Sequence, residues 1–164
     1  MASPCEVLLR CDDLKQAQAA VNAVAAEAWR IEDKFSRYQP DNVVASINDS
    51  NGKVIAVDDE TANLIDFATA LFEMSEGRFD ISSGVLRRAW QFDGSDRLPD
   101  DQAVADILTY VGWNKVQWQR PNLTLQPGMQ IDFGGIGKEY AVDRAAALAT
   151  ELVPHCLVNF GGDL

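Results

Sequence analysis

The stretch Ile131-Asp132-Phe133-Gly134-Gly135-Ile136-Gly137-Lys138-Glu139-Tyr140-Ala141-Val142-Asp143-Arg144 decides how this chain is read. A short apolar run carries an acid, two glycines follow, and a third glycine with a lysine opens an amphipathic helix. A helix start presents unpaired backbone N–H groups and the positive end of the helix dipole, a setting suited to phosphate. Glycines let that backbone come close to a ligand. An acid, a lysine and a helix start within seven residues suggest a nucleotide or its metal. Such turns also serve purely structural roles, so both readings stay open at this point. The stretch is not a Walker P-loop, because Asp132 stands five residues before Gly137 and Glu139 follows the lysine. The spacing also fails the Rossmann fingerprint.

Working outward, the helix begun there should run from about Ile136 to Leu152, with Ala141, Ala145, Leu148 and Leu152 inward. His155 to Phe160 reads as a strand after it. Before it, Val116–Trp118, Leu123–Leu125 and Gln130–Phe133 read as strands joined by Pro-Asn and Pro-Gly turns. Near the start, Pro4–Arg10 reads as a strand, and Asp12 or Asp13 can cap the helix that follows. Leu14, Ala17, Val21, Val24, Ala28, Ile31 and Phe35 step by three and four along that helix, which ends in the Gln39–Asn42 turn. Lys53–Val57 alternates as a strand. A second helix then carries Leu64, Ile65, Ala68, Leu71 and Phe72 and stops at Gly77. Gly84–Trp90 reads as a helical turn, residues 93–101 as an acidic loop, and Gln102–Tyr110 as a further helix ended by Gly112. Helices and strands mix without strict alternation, which predicts an α+β fold with long helices packed on a sheet.

The 164 residues suit one domain, read here as residues 1–164. A chain of this size buries roughly 70% of its unfolded surface and needs no staples. The net charge is −11 with no basic block, which argues against a nucleic-acid partner. An acidic protein that handles a nucleotide needs a divalent cation or local dipoles to offset repulsion. Cys5, Cys11 and Cys156 form no C-x-x-C pair and His155 is the single histidine, so no zinc site is expected; three buried free thiols are. No apolar run is long enough to span a membrane, and no basic-then-apolar leader opens the sequence, so the chain as written reads as cytoplasmic. A stop at Gly161-Gly162-Asp163-Leu164, directly after an apolar strand, predicts further sequence beyond Leu164.

Several motifs now line up. They are Met1-Ala2-Ser3-Pro4-Cys5-Glu6-Val7, Phe35-Ser36-Arg37-Tyr38-Gln39-Pro40-Asp41, Gly77-Arg78-Phe79-Asp80-Ile81-Ser82, Asp132 to Asp143, and Val158-Asn159-Phe160-Gly161-Gly162-Asp163. In this order and at these separations they resemble the FAD:protein FMN transferases, the ApbE family. The resemblance runs from Met1 to Leu164. Each motif alone is weak, and together they are strong.

The resemblance implies an α+β, T-fold-like architecture with a mixed or antiparallel sheet, here lacking its C-terminal part. It implies FAD as substrate, Mg²⁺, and a target flavoprotein as partner. In the implied reaction a threonine hydroxyl of the target attacks the FMN-side phosphorus of FAD, and AMP leaves. Met1, Tyr38, Arg78, Phe79, Asp80, Asp132 and Lys138 fall on FAD-contacting positions of the family. Gly135 falls where the family lends an oxygen to the metal, and a glycine can do so only through its carbonyl. Catalytic residues are expected in the absent C-terminal part, with most of the magnesium ligands and a histidine that His155 does not match. Many relatives are exported lipoproteins.

Glu139 departs from a glycine common in the family, and Asn42 and Ser82 replace Ser and Thr with their hydrogen-bonding capacity kept. Three functions remain open: the FMN transferase, an FAD pyrophosphatase that uses water in place of threonine, and a non-catalytic half-domain.

Overall fold

The computed structural model describes residues 3–90, 94, 96 and 98–164. The expectation for Met1 lies outside them, as do positions 93, 95 and 97 of the acidic loop. In chain order the elements are β1 (Cys5–Leu9), α1 (Leu14–Phe35), α2 (Val43–Asn48), β2 (Ile55–Ala56), α3 (Asp59–Met74), a 3-10 helix at Ile81–Arg88 and α4 (Asp101–Leu108). A 3-10 turn at Trp113–Lys115, β3 (Gln117–Gln119), β4 (Asn122–Thr124), α5 (Gly137–Leu152) and β5 (Cys156–Phe160) complete the chain. The fold is α+β, and all its strand pairs are antiparallel. The chain divides into two compact units, one made of Met1–Ser36 with Gly134–Leu164 and the other of Arg37–Phe133.

In the first unit α1 and α5 pack on each other. Asp13 caps α1, accepting from the N–H groups of Lys15 at 2.8 Å and Gln16 at 3.3 Å. The buried face of α1 carries Ala20, Val24, Ala28, Ile31 and Phe35, and that of α5 carries Ala141, Val142, Ala145 and Ala149. Small side chains on both faces let the helix axes approach. Leu14, read as the head of the α1 stripe, is exposed, because the first turn lies beyond the packed seam. β1 and β5 form a ribbon with Cys5 opposite Phe160 and Val7 opposite Val158. Val158 and Phe160 are buried on one face, while Leu8 and Leu157 stand opposite each other, exposed, on the other.

One buried charge lies among these helices. Glu27 is 7% exposed. Its carboxylate accepts two bonds from Arg30, both 2.8 Å, and one from Arg144 of α5 at 3.2 Å. The hydrogen bond from Arg30 is the main cause holding the Glu27 carboxyl below its ordinary value of 4.5. A lowered folded-state value stabilises the fold above the unfolded value, and that contribution is lost as pH falls through the folded value. Glu27→Gln is therefore expected to cost about 1–2 kcal/mol near pH 7, a modest figure because both arginines are half exposed. Urea melts as a function of pH check it: the gap between wild type and variant should close below about 4.5.

In the second unit β2, β4 and β3 form a three-stranded antiparallel sheet in that order. Arg120 links it to α3, bonding Asp66 at 2.7 Å, Asn63 at 2.9 Å and Asp59 at 3.2 Å. Asp58 caps α3, and Gly77 follows its end at φ +80°, where a side chain would be strained.

The structure differs from the sequence reading in several places. α2 was not anticipated; Asn42 caps it by accepting from the Ala45 N–H at 2.9 Å. The helical turn expected at Gly84–Trp90 is the 3-10 helix starting three residues earlier. Gln130–Phe133 is not a ladder strand. The Asn48 side chain takes its place as partner, accepting from the Ile131 N–H at 2.7 Å and donating to the Ile131 carbonyl at 3.1 Å. The Asp132 N–H donates to the Ile81 carbonyl at 2.9 Å. The thiols are free, as expected, but not buried: Cys5 is exposed and Cys11 and Cys156 are partly so. Among the described residues β1 and β5 form a two-stranded sheet, which leaves Cys5 and Cys156 less covered than a wider sheet would. His155 is exposed at the entry to β5. No helix among the described residues is long and apolar enough to cross a membrane.

Candidate functional site

Five of the residues singled out from the sequence lie in the second unit. The structure joins their segments through a common node. Asp80 caps the 3-10 helix: one carboxylate oxygen accepts from the Ser82 N–H at 2.8 Å and the Ser82 hydroxyl at 2.6 Å. Its other oxygen accepts from the Trp113 N–H at 2.9 Å. Ser82 in turn accepts from the Gly112 N–H at 2.8 Å, so its hydroxyl both donates and accepts at this position. One residue beyond Asp80, the Ile81 carbonyl holds the Asp132 backbone. The Asp132 carboxylate pairs with Arg37 at 2.6 Å.

Tyr38 follows Arg37 and is 80% exposed. The Arg87 guanidinium lies 6.0 Å from its ring centre, within cation–π reach. Phe79 is half-buried, and its N–H donates to the Ser75 hydroxyl at 2.8 Å. Arg78 is exposed, with Glu76 at 4.0 Å as a loose ion partner. Tyr38, Asp80 and Asp132 thus belong to segments tied together by Arg37, Ile81 and the 3-10 helix. Arg37 itself was not singled out from the sequence, although it stands inside the quoted Phe35–Asp41 motif. Its signal was the position directly before the tyrosine.

Among the described residues the first unit holds two more, Gly135 and Lys138. Gly135 is exposed in the turn before α5. Lys138 lies in the first turn of α5, and its ammonium donates to Asp163 at 2.6 Å. That hydrogen bond holds the Lys138 ammonium above the usual lysine range, so the group is cationic throughout the neutral range. Asp13, Asn42, Asp58 and Asp100 each cap a helix with a side chain, whereas α5 has no side-chain cap. A helix start whose N-cap residue, Ile136, makes no side-chain hydrogen bond, with a lysine in its first turn, has the chemistry for an anion. Glu139 is exposed in the same turn.

Magnesium takes near-octahedral oxygen coordination and is held by carboxylates together with water or phosphate. Among the described residues no group of three or more His, Cys, Asp or Glu side chains is placed to hold a metal ion. The residues present do not by themselves fit that ion.

The ApbE family model matches residues 1–164 in full, and the chain belongs to the ApbE family. A curated relative, the FAD:protein FMN transferase of Chlamydia pneumoniae, is 29% identical over 140 residues, which cover 82% of this chain and 45% of that protein. The crystal structure of the ApbE protein of Thermotoga maritima superposes with a TM-score of 0.85 at 29% identity, covering 96% of this chain and 53% of that one. The apo form of the Pseudomonas stutzeri flavinyl transferase ApbE gives a TM-score of 0.86 over 99% of this chain and 56% of its own, at 24% identity, and bears on the fold alone. The architecture is therefore the ApbE-type α+β fold. The chain spans about half the length of the relatives it matches.

Proposed function

We propose that this chain is the FAD-binding part of an FAD:protein FMN transferase, with residues 1–164 acting as one ApbE-type domain. The observation that carries the reading is the match to the ApbE family along the whole chain. The connected segments around Asp132 and the uncapped, lysine-bearing start of α5 support it. In the proposed reaction an acceptor threonine oxygen forms a bond to the FMN-side phosphorus of FAD. The pyrophosphate P–O bond breaks, AMP leaves with the bridging oxygen, and FMN stays on the target as a phosphoester. The partner is thus a flavoprotein carrying the acceptor threonine. Magnesium dependence belongs to the proposal, with the Gly135 carbonyl as this chain's contribution. The other ligands have to come from outside the described residues.

The chain's own part is binding and orientation. Lys138 meets phosphate charge, Tyr38 and Phe79 supply aromatic surface, and Arg78 a second cation. Asp132 accepts hydrogen bonds from the ligand. Asp80 fixes the segment that carries Phe79. Met1 contributes a further contact to FAD.

The full-length gene product, given FAD, Mg²⁺ and an acceptor flavoprotein, should leave covalent fluorescent flavin on the acceptor in a denaturing gel. Free FMN and AMP without labelled acceptor would mean hydrolysis instead. Failure to bind FAD at all would remove the proposal. Within it, Tyr38→Ala is expected to weaken FAD binding by about one to two decades, the scale of one lost aromatic stacking contact. The ligand-free melting temperature should hold, because the side chain is 80% exposed.

A further inference from the structure

The Arg37 side chain is 7% exposed, an unusual burial for a guanidinium. Its Nη1 donates to Asp132 Oδ2 at 2.6 Å and its Nη2 to the Gly84 carbonyl at 2.8 Å. Its Nε is buried without a hydrogen-bond partner among the described residues. Gly84 is buried in the 3-10 helix against the same pair. A Cβ there would stand 2.7 Å from the Asp132 Cβ and 3.0 Å from Arg37 Nη1.

These observations do not describe a stability device. Burying an ion pair costs about as much desolvation as its attraction returns, and an orphaned donor adds to the cost. An apolar side chain of similar volume would fill the space without either. What the arginine provides is geometry. Two prongs of one rigid fork fix a carboxylate relative to a helix carbonyl, and the missing side chain at position 84 lets the carboxylate lie against that helix.

We propose that Arg37 and Gly84 are positioning residues for FAD recognition, holding the Asp132 carboxylate in the orientation in which it meets the ligand. The inference rests on the reading of Asp132 as an FAD contact. Arg37 need not touch FAD; it acts through Asp132.

The test is a double-mutant cycle on FAD affinity in the full-length gene product, followed by flavin fluorescence, with Arg37→Gln, Asp132→Asn and the double variant. Arg37→Gln is expected to raise the Kd for FAD about tenfold or more in the wild-type background, and to have no further effect when Asp132→Asn is present. Arg37→Lys should recover part of the loss, since it keeps the charge and one contact. Gly84→Ala provides a second route if Arg37→Gln does not fold. It leaves both charges in place and displaces the carboxylate, and it should weaken FAD binding to a similar degree.

Losses that simply add across the cycle would overturn the inference. So would full FAD affinity in Arg37→Gln while Asp132→Asn is impaired, and that result would leave the FAD reading standing. Undiminished affinity in Asp132→Asn would remove Asp132 from the site and the inference with it.

Discussion

Phe160→Ala is expected to cost about 3–5 kcal/mol, enough to unfold a domain of ordinary stability under mild conditions. Phe160 is 1% exposed at the end of β5. With Val24, Ala28 and Trp29 of α1 and Val7 of β1, it lines the apolar space beside the β1–β5 ribbon. A two-stranded ribbon has little stability alone and depends on what its inner face packs against. Truncating this ring removes the largest inward side chain of the ribbon, and the rigid helix seam beside it can relax only in part. Urea titrations of Phe160→Ala and Phe160→Leu separate size from shape. The leucine variant should recover more than half of the loss. A cost below about 1 kcal/mol for the alanine variant would mean that the ribbon collapses onto α1 without the ring.

The elements legible in the sequence are those with a long period or a strong cap. The stripe of α1 and the acid before it located that helix, and α3 and α5 were equally plain. The strand readings at both ends of the chain coincide with β1 and β5. What was missed is what depends on side chains reaching across the chain. α2 is six residues long, too short for a period to emerge, although the Asn42 cap before Val43, Val44 and Ile47 was its one available signal. Gln130–Phe133, after its Pro-Gly turn, reads as a strand because nothing local reveals that Asn48, more than eighty residues earlier, replaces a neighbouring strand. Apolar pattern reports which face is buried, not who satisfies the backbone.

The candidate site divides in the same way. The acid, the glycines and the lysine of the 131–144 stretch were visible because their spacing is local. The Arg37–Asp132 pair spans 95 positions and needed the structure. Asp80 was read as a contact residue; its carboxylate proves to be occupied by three donors of its own chain. A carboxylate has about four acceptor sites, so capping and ligand contact are compatible, but the structural role is the one observed. Asp80→Asn should therefore be judged first by stability and only then by FAD affinity.

Lys138→Ala is expected to lower FAD affinity by about one to two decades, the scale of a charge-assisted hydrogen bond to phosphate. The side chain is 43% exposed and its partner Asp163 lies at 2.6 Å. A surface ion pair of this kind contributes little to folding, so the ligand-free melting temperature should scarcely move. Asp163 holds the Lys138 ammonium above the usual lysine range and, under the proposed function, would compete with a phosphate for it. Asp163→Asn should then leave FAD affinity unchanged or tighter, because a negative charge next to the phosphate is removed while the lysine stays cationic at neutral pH. The affinity lost in Lys138→Ala should shrink with added salt, as screening weakens the contact it deletes. Titrating FAD into the three full-length proteins at two ionic strengths measures all of this. Equal affinity in wild type and Lys138→Ala would take the lysine out of the site. Equal losses in both variants would make the Lys138–Asp163 pair a clamp between the start of α5 and the residues after β5, with no phosphate contact.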